Sequence, residues 1–516
     1  MNLKFWKRQP AEKQPRRFAN ARAALRMFES AKSDRLTADW GSHPVPAETI
    51  IRLHQRILVA RSREQCANND YARKFLALCR TNIVGPQGVT LHGEVKLKDG
   101  TLDAESNRAI EAAFDDWGHK DTADIAGKNS WRAIQAAAVV SAAKDGEFMF
   151  RKIYGKKAGK YGFALQMLDP QRCPIDLDRF DLEGGNFIRS GIEYTEFGRP
   201  VAYYFNVVKE SQAFWNYQYA GNSFHRIPAD EIIHGYLEEI VGQKRGLPWM
   251  ATSLFRMKQL QGFEDAAIVN ARIGAAKMGF LQWENGMGPA DADDEAPEIE
   301  AEAGTFHELP PGLTLKEFNP AYPAGEFGPF MKHVLRSFAA GVSVPYNELA
   351  ADLEGVNFSS IRQGTLDSRE HWKELQEWLI ESLIQPVFES WLPQALLRRQ
   401  ITTEDGLALP AEKIDRYKAV CWQPRRWQWI DPRADVDGAV EAISHGLASP
   451  SQIIREQGRD PHAVRVETAR DVRAMIDAYV AEGIDEKTAT DLVLLAMGKP
   501  VPPPPKPAAE STPKAT

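Results

Sequence analysis

The chain has 516 residues, 43% hydrophobic and 26% charged, the balance of a folded protein with room for several domains rather than of a disordered or fibrous chain. Its net charge of −6 is the wrong sign for tight gripping of nucleic acid, which draws on counterions that a basic excess releases from phosphates. No stretch approaches the roughly 20 apolar residues of a membrane span. Met1–Trp6 lacks the apolar region of a secretory signal. Cys66, Cys79, Cys173 and Cys421 lie far apart without a CxxC pair and read as buried free thiols. The expectation is a protein made and folded in the cytoplasm.

Residues 1–35 carry ten Lys and Arg against three Asp and Glu. They read either as a basic arm that orders on contact or as a solvated tail. Over 46–80, Ile50, Leu53, Ile57 and Leu58, then Tyr71, Phe75 and Leu78, recur at helical spacing, and Pro46 suits the start of a helix. Further helices are predicted over 103–117 and 129–144. The period then shortens. Glu147–Tyr154, Phe163–Leu168, Gly191–Glu196 and Pro200–Val207 are short β-branched or aromatic runs, with Phe197–Pro200 as a hairpin connection. Ile232–Tyr236 closes a small mixed α/β region.

Pro248–Leu281 has a long helical pattern, with Leu254, Met257, Leu260 and Ile268 and a small-residue stretch from Ala266 to Ala276. As one helix it would reach about 45–50 Å at about 1.5 Å per residue, too long for the inside of one compact body. A polar insert, Glu284–Asn319, follows, in which Asp291, Asp293, Asp294, Glu295, Glu298, Glu300 and Glu302 have no Lys or Arg among them. Phe327–Ala340 returns to a helical pattern and Pro345 ends it. Helix, exposed insert and returning helix describe a protruding stalk with a cap.

Gly355–Ser360 reads as a loop. Beyond it Ile361–Trp391 is a second long helix with Trp372, Leu375, Leu379, Leu383 and Val387 on one face, which Pro386 should kink or end. Trp422–Asp431 reads as extended. Short helices are expected over 434–446, 449–456, 465–481 and 486–497, and 499–516, with Pro502–Pro505, as a disordered tail. The fold class is α+β and predominantly helical.

Motifs for chemistry fall short. Gly155–Tyr161 has its glycines one residue too close for a phosphate loop, and Tyr161 replaces the magnesium-binding hydroxyl. Gly341–Pro345 lacks the second glycine of a nucleophile elbow. His225, Asp230 and His234 have no metal-ligand spacing, and the acidic run lacks the order of a calcium loop. Gln423–Trp429 interleaves arginine with aromatics, which suits packing of Arg over Trp better than stacking on single-stranded bases. No catalytic residue, metal ligand or cofactor site is predicted.

In order along the chain, Arg61–Asn69, Asn82–Gly88, Gly146–Phe148, Gly191–Tyr194 with Gly198–Tyr203, Ile227–His234, Gly242–Gly246, Pro310–Gly312, Asn357–Arg362 and Trp427–Pro432 together resemble the lambda-type family of phage portal proteins. The resemblance covers roughly residues 20–490. It implies a homo-oligomeric ring, usually a dodecamer, at one capsid vertex, through which double-stranded DNA is packaged and ejected. Within it residues 36–245 would be a mixed α/β wing. Residues 246–282 and 322–345 would be stem helices around a clip at 283–321. A tunnel loop at 346–362 would be followed by a long kinked helix closing the wing at 363–430 and a helical crown at 431–498.

The resemblance also implies partners: the terminase large subunit, head–tail connector or adaptor proteins, and a major capsid or scaffold protein, but no membrane. Location would be the virion, after assembly in the host cytoplasm. By position, Asn357, Phe358, Ser359, Ser360 and Arg362 would face DNA in the channel, with Phe358 as anchor. The acidic residues from Asp291 to Glu302 would form the clip's docking surface. An acidic lumen would keep sliding friction low. The rival classes are a magnesium-dependent nuclease, disfavoured by the absence of paired carboxylates on strands, and another structural component of a virion.

Overall fold

The computed structural model describes residues 35, 38–180, 182–207, 223–275, 279–283, 313–317, 327–354, 357–427 and 432–496. These residues form an α+β architecture in which helices predominate and the strands make small antiparallel sheets.

The 46–80 region is two helices. Ala47–Asn68 ends where Asn69 turns extended, and the Asn69 side chain accepts the backbone N–H groups of Tyr71 and Ala72 to cap Asp70–Cys79. The first helix does not bury the expected apolar face. Leu53 and Ile57 are exposed, while Ile51, Gln55, Val59, Ser62 and Gln65 face inward. The polar edge turns in because it meets charge: Gln55 donates to Glu147 at 3.3 Å, and Arg63 forms a fork onto Asp145 at 2.8 and 2.9 Å.

The main core is aromatic. Phe114 and Trp117 on the Ala104–Trp117 helix meet Trp131 of the next helix, Phe163, and Phe388 and Trp391, with Phe114 edge-on to Trp391 at 5.0 Å. Trp117 satisfies its buried indole N–H on the Phe163 carbonyl at 2.9 Å. Trp131–Asp145 then leads through left-handed Gly146 into the central strand Glu147–Tyr154, which pairs with Phe163–Leu168 on one side and Ile232–Tyr236 on the other. The turn between the first two strands contains Gly155 and Gly159, both at positive φ, around a single turn at Lys156–Ala158. A second sheet orders Phe187–Arg189, Ile192–Tyr194, Pro200–Asn206 and Phe224–Pro228 side by side.

The long helix is shorter than expected. It runs Leu254–Ala275, about 33 Å at about 1.5 Å per residue, and Gly279–Trp283 is a strand paired antiparallel with Leu313–Glu317. The Gly279–Trp283 backbone finds its hydrogen bonds across the insert, a partner that local periodicity does not reveal. The strand Leu313–Glu317 also lies inside the segment expected to be only a polar insert. The returning helix, Phe327–Gly341, packs Met331 and Leu335 on Leu260 and stacks Phe327 on Phe263 at 5.5 Å. Close approach at the root depends on Gly341, where a Cβ would fall 2.3 Å from the Ser253 hydroxyl. Ser343, at φ 54°, makes the turn that follows.

The helix expected from Ile361 begins at Phe358, so Phe358, Ser359 and Ser360 are helical rather than loop. It is not broken by Pro386. A wide π turn at Ile380–Ile384 precedes Gln385–Leu397, and Pro386 occupies that segment's first turn, where no helical partner is needed for its nitrogen. Val420–Gln423 pairs with Thr90–Gly93, and Arg369 and Arg425 each lie 5.8 Å from the Trp427 ring, the packing arrangement expected for this segment. The last helices are Pro432–Ser444, Pro450–Glu456, Pro461–Ala481 and Glu486–Ala496, with a small core of Ile476, Ala489 and Val493. Of the cysteines only Cys79 and Cys173 are buried; Cys66 is half-buried and Cys421 exposed. None of the described helices is long and apolar enough to cross a membrane.

Candidate functional site

The candidate DNA-facing residues lie between the returning stalk helix and the long Phe358–Leu379 helix. Ahead of them a short helix, Tyr346–Ala350, is pinned by the Tyr346 hydroxyl donating to Asp352 at 2.8 Å. Lys332 pairs with Asp352 at 3.4 Å and Glu354 at 2.9 Å. Asn357 is exposed, and its carbonyl accepts the Ile361 N–H at 3.0 Å, which starts the helix. Phe358, Ser359 and Ser360 form the helix's first turn. Arg362, half-exposed, pairs with Asp435 of the Pro432–Ser444 helix at 3.5 Å. The five residues are therefore contiguous at one helix end, and one of them is tied to the C-terminal helices. Asp291, Asp293, Asp294, Glu295, Glu298, Glu300 and Glu302 lie outside the described residues.

A buried ion pair that no local motif announced lies shortly before the Leu254–Ala275 helix. Glu147 and Arg245 are both fully buried, and Nε and Nη2 of Arg245 donate to the Glu147 carboxylate at 2.7 to 3.0 Å. The remaining guanidinium donors go to the carbonyls of Pro170, Cys173 and Ser190 at 3.1, 3.1 and 2.7 Å. Glu147 also accepts from the Gly246 N–H at 3.1 Å and bonds His234 Nε2 at 2.9 Å. Burial alone would raise the Glu147 carboxyl; the Arg245 charge and the His234 hydrogen bond overcome it and hold the group at about 2, against an ordinary 4.5. Burial also lowers the His234 pKa, so its ring is neutral, donates through Nε2 to Glu147, and faces the Tyr203 hydroxyl through Nδ1 at 3.4 Å. His234 is thus a partner in an ion-pair network, and among the described residues no group of side chains has the makings of a metal site.

Two backbones must nearly touch for this contact to form. A Cβ on Gly146 would lie 2.5 Å from the Leu247 backbone, and one on Gly246 would lie 2.0 Å from the Gly146 carbonyl oxygen. The segments Gly146–Phe148 and Gly242–Gly246, separately quoted above, are the two halves of one clasp. Arg61–Asn69 joins it through Arg63, which bridges Asp145 and Asp169, and Ile227–His234 through His234. A second junction brings Asn82 together with Trp427 and Arg425, whose N–H groups both reach the Asn82 side-chain oxygen at 3.1 and 2.9 Å.

Residues 33–376 match the family described as phage portal protein, lambda family. The chain is also 33% identical over 475 residues, covering 90% of it and 88% of the relative, to the probable portal protein of Halomonas phage phiHAP-1. The chain belongs to the lambda family of phage portal proteins. Portal protein B of Escherichia phage lambda is 21% identical over 444 residues, covering 80% of this chain and 82% of that one. Among solved structures, a chain in the neck of an empty gene transfer agent particle aligns with 82% of this chain and 98% of its own, at 15% identity and a TM-score of 0.44. The portal family is structural, and the clasp is a structural feature: its charges are internally paired and closed to solvent.

Glu147 sets an acid dependence. A carboxyl lowered on folding stabilises fully above its ordinary 4.5, and the contribution, about 3 kcal/mol, is lost as pH falls through about 2. Glu147→Gln should lower stability by about 3–5 kcal/mol near neutrality, because Arg245 is left buried without its counter-charge. It should also flatten the fall between pH 4.5 and 2. Urea unfolding across pH measures both, and a variant with the wild-type acid profile would show that this pair does not set it.

Proposed function

We propose that this portal protein forms a closed homo-oligomeric ring, a dodecamer by family likeness, that passes double-stranded DNA into and out of a capsid. The carrying observation is the apolar surface left uncovered along Leu254–Ala275. Leu254, Met257 and Leu260 are buried, whereas Phe255, Ile268 and Val269 are 74%, 55% and 52% exposed in the single subunit. Apolar residues left uncovered on a helix that continues into a strand pair and returns are suited to burial against identical neighbours. Ala266, Ala267 and Ala271 beside them allow helices to approach closely.

In this reading residues 36–245 are the wing, 246–282 and 322–345 the stem, and 283–321 the clip. Residues 346–362 are the tunnel segment, 363–430 the long helix and wing closure, and 431–498 the crown. The clip's acidic residues 291–302 dock the terminase large subunit and later the head–tail connector or adaptor. The ring nucleates shell assembly with the major capsid or scaffold protein. Asn357, Phe358, Ser359, Ser360 and Arg362 face the DNA, and the work is mechanical rather than catalytic. The subunit assembles in the host cytoplasm and ends at the portal vertex of the virion.

Native mass measurement of the purified chain tests the ring: one closed species of about the family's subunit number is expected. Monomers and dimers under every condition, including added DNA and scaffold, would sink it. Arg362→Gln should leave rings intact by electron microscopy while reducing the DNA packaged or retained per particle; normal packaging would remove Arg362 from the DNA-facing set. Glutamine is preferred to glutamate, which would face Asp435 with a like charge. Deleting 291–302 should weaken terminase or connector docking and spare ring formation, and undiminished docking would reduce the segment to a spacer.

A further inference from the structure

The outer face of the Ala47–Asn68 helix carries an apolar stripe. Leu53, Ile57 and Ala60 follow one another at helical spacing, opposite the buried Ile51, Gln55 and Val59, and all three are exposed in the single subunit. Arg56 and Arg61, also exposed, stand on its two flanks, and Glu64 at its far end pairs with Lys258 at 3.0 Å. The stripe is apolar with a basic rim.

A second exposed apolar feature has the complementary character. Ile240 and Val241 stand on the 238–242 loop that follows the Ile232–Tyr236 strand, and Val241 is 97% exposed. One buried amide fixes this loop from beneath. The Gln243 side-chain oxygen accepts the N–H groups of Glu239 and Ile240 at 3.1 and 3.3 Å, and its Nε2 donates to the Arg245 carbonyl at 2.8 Å. The Glu238 carboxylate accepts the Gly242 N–H at 2.8 Å, and the Tyr236 hydroxyl donates to the Gln243 carbonyl at 2.8 Å. An apolar side chain held in water adds nothing to its own subunit's stability. In a contact, by contrast, a loop already fixed loses little further entropy. The loop's own exposed charges, Glu238 and Glu239, give its apolar tip an acidic rim.

We propose that the 238–242 loop of one copy of this chain seats Ile240 and Val241 on the Leu53, Ile57 and Ala60 stripe of a neighbouring copy, with Glu238 and Glu239 toward Arg56 and Arg61. The contact deepens the ring reading and rests on it. Opposite rims favour this pairing over like with like. Because the two patches differ, each copy binds forward with one and backward with the other, the head-to-tail arrangement a closed ring requires. The test is cross-linking of the full chain with a short bis-maleimide. Ile57→Cys combined with Val241→Cys should give a ladder of three and more joined copies that neither single variant gives. Those single variants also account for the native Cys66 and Cys421. Ile57→Glu, at an exposed helical position, should raise the concentration at which rings assemble about tenfold or more, since it removes an apolar contact and meets Glu239 with a like charge. Rings seen by native mass without a ladder, a ladder that stops at two copies, or assembly of Ile57→Glu at the wild-type concentration overturns the contact and leaves the ring standing. Joining of Ile57→Cys to Ala24→Cys within one copy would make the N-terminal segment the occupant of the stripe, and it overturns the contact too. Absence of rings in the wild type removes the ring reading and this contact together.

Discussion

The Arg245–Glu147 pair is the constraint on which the rest of the subunit depends. Both side chains are removed from water, a large desolvation penalty that only dense hydrogen bonding can offset. Arg245 therefore cannot move without abandoning the carbonyls of Pro170, Cys173 and Ser190 as well as the carboxylate. Those partners come from three separate stretches of chain, around Glu147, Pro170–Cys173 and Ser190, and the arginine lies nine residues before the helix that begins at Leu254. A hydrophobic contact at this place would tolerate sliding; a forked ion pair with every donor assigned fixes one geometry. The clasp thus fixes the chain nine residues before the Leu254–Ala275 helix begins.

Much of the fold could be read from local pattern. The short C-terminal helices were expected in the right order, but two begin earlier than the expected 434 and 465, at Pro432 and Pro461, because proline is tolerated in a helix's first turn. The central strands were legible from their β-branched runs. What escaped was decided by partners distant in sequence. Leu53 and Ile57 have core spacing, yet the helix presents Gln55 and Arg63 inward because Glu147 and Asp145 wait there, more than 80 residues away. Gly279–Trp283 follows a small-residue helix and turns into a strand only because Leu313–Glu317 lies alongside.

The candidate site was legible to the same degree and for the same reason. The run Asn357–Arg362 could be singled out as a segment, but its composition suggested a loop where the chain had already entered a helix. Nothing near Arg362 in sequence points to Asp435, so the tie between this segment and the C-terminal helices came only from the fold. The clasp was hidden differently. Its two halves were each visible as glycine-flanked charged motifs, Gly146-Glu147 and Arg245-Gly246, and the glycines were the available signal: paired residues without a Cβ beside opposite charges fit two backbones meeting closely around an ion pair.

The Phe358–Leu379 helix joins these features into one mechanical line. At its start Arg362 holds Asp435, in its middle Arg369 faces Trp427, and near its end Gln376 binds the carbonyls of Asn82 and Arg425. Two residues on, Trp378 donates to the Tyr236 carbonyl at 3.1 Å and meets Trp249 and Phe148 edge-on at 5.7 and 5.9 Å. Phe148 adjoins Glu147, and Trp249 lies between Arg245 and the stalk helix. A hydrogen-bonded helix is stiff over this length, about 33 Å at about 1.5 Å per residue. The helix therefore connects the segment that begins at Asn357 with the Glu147–Arg245 ion pair through packed aromatics.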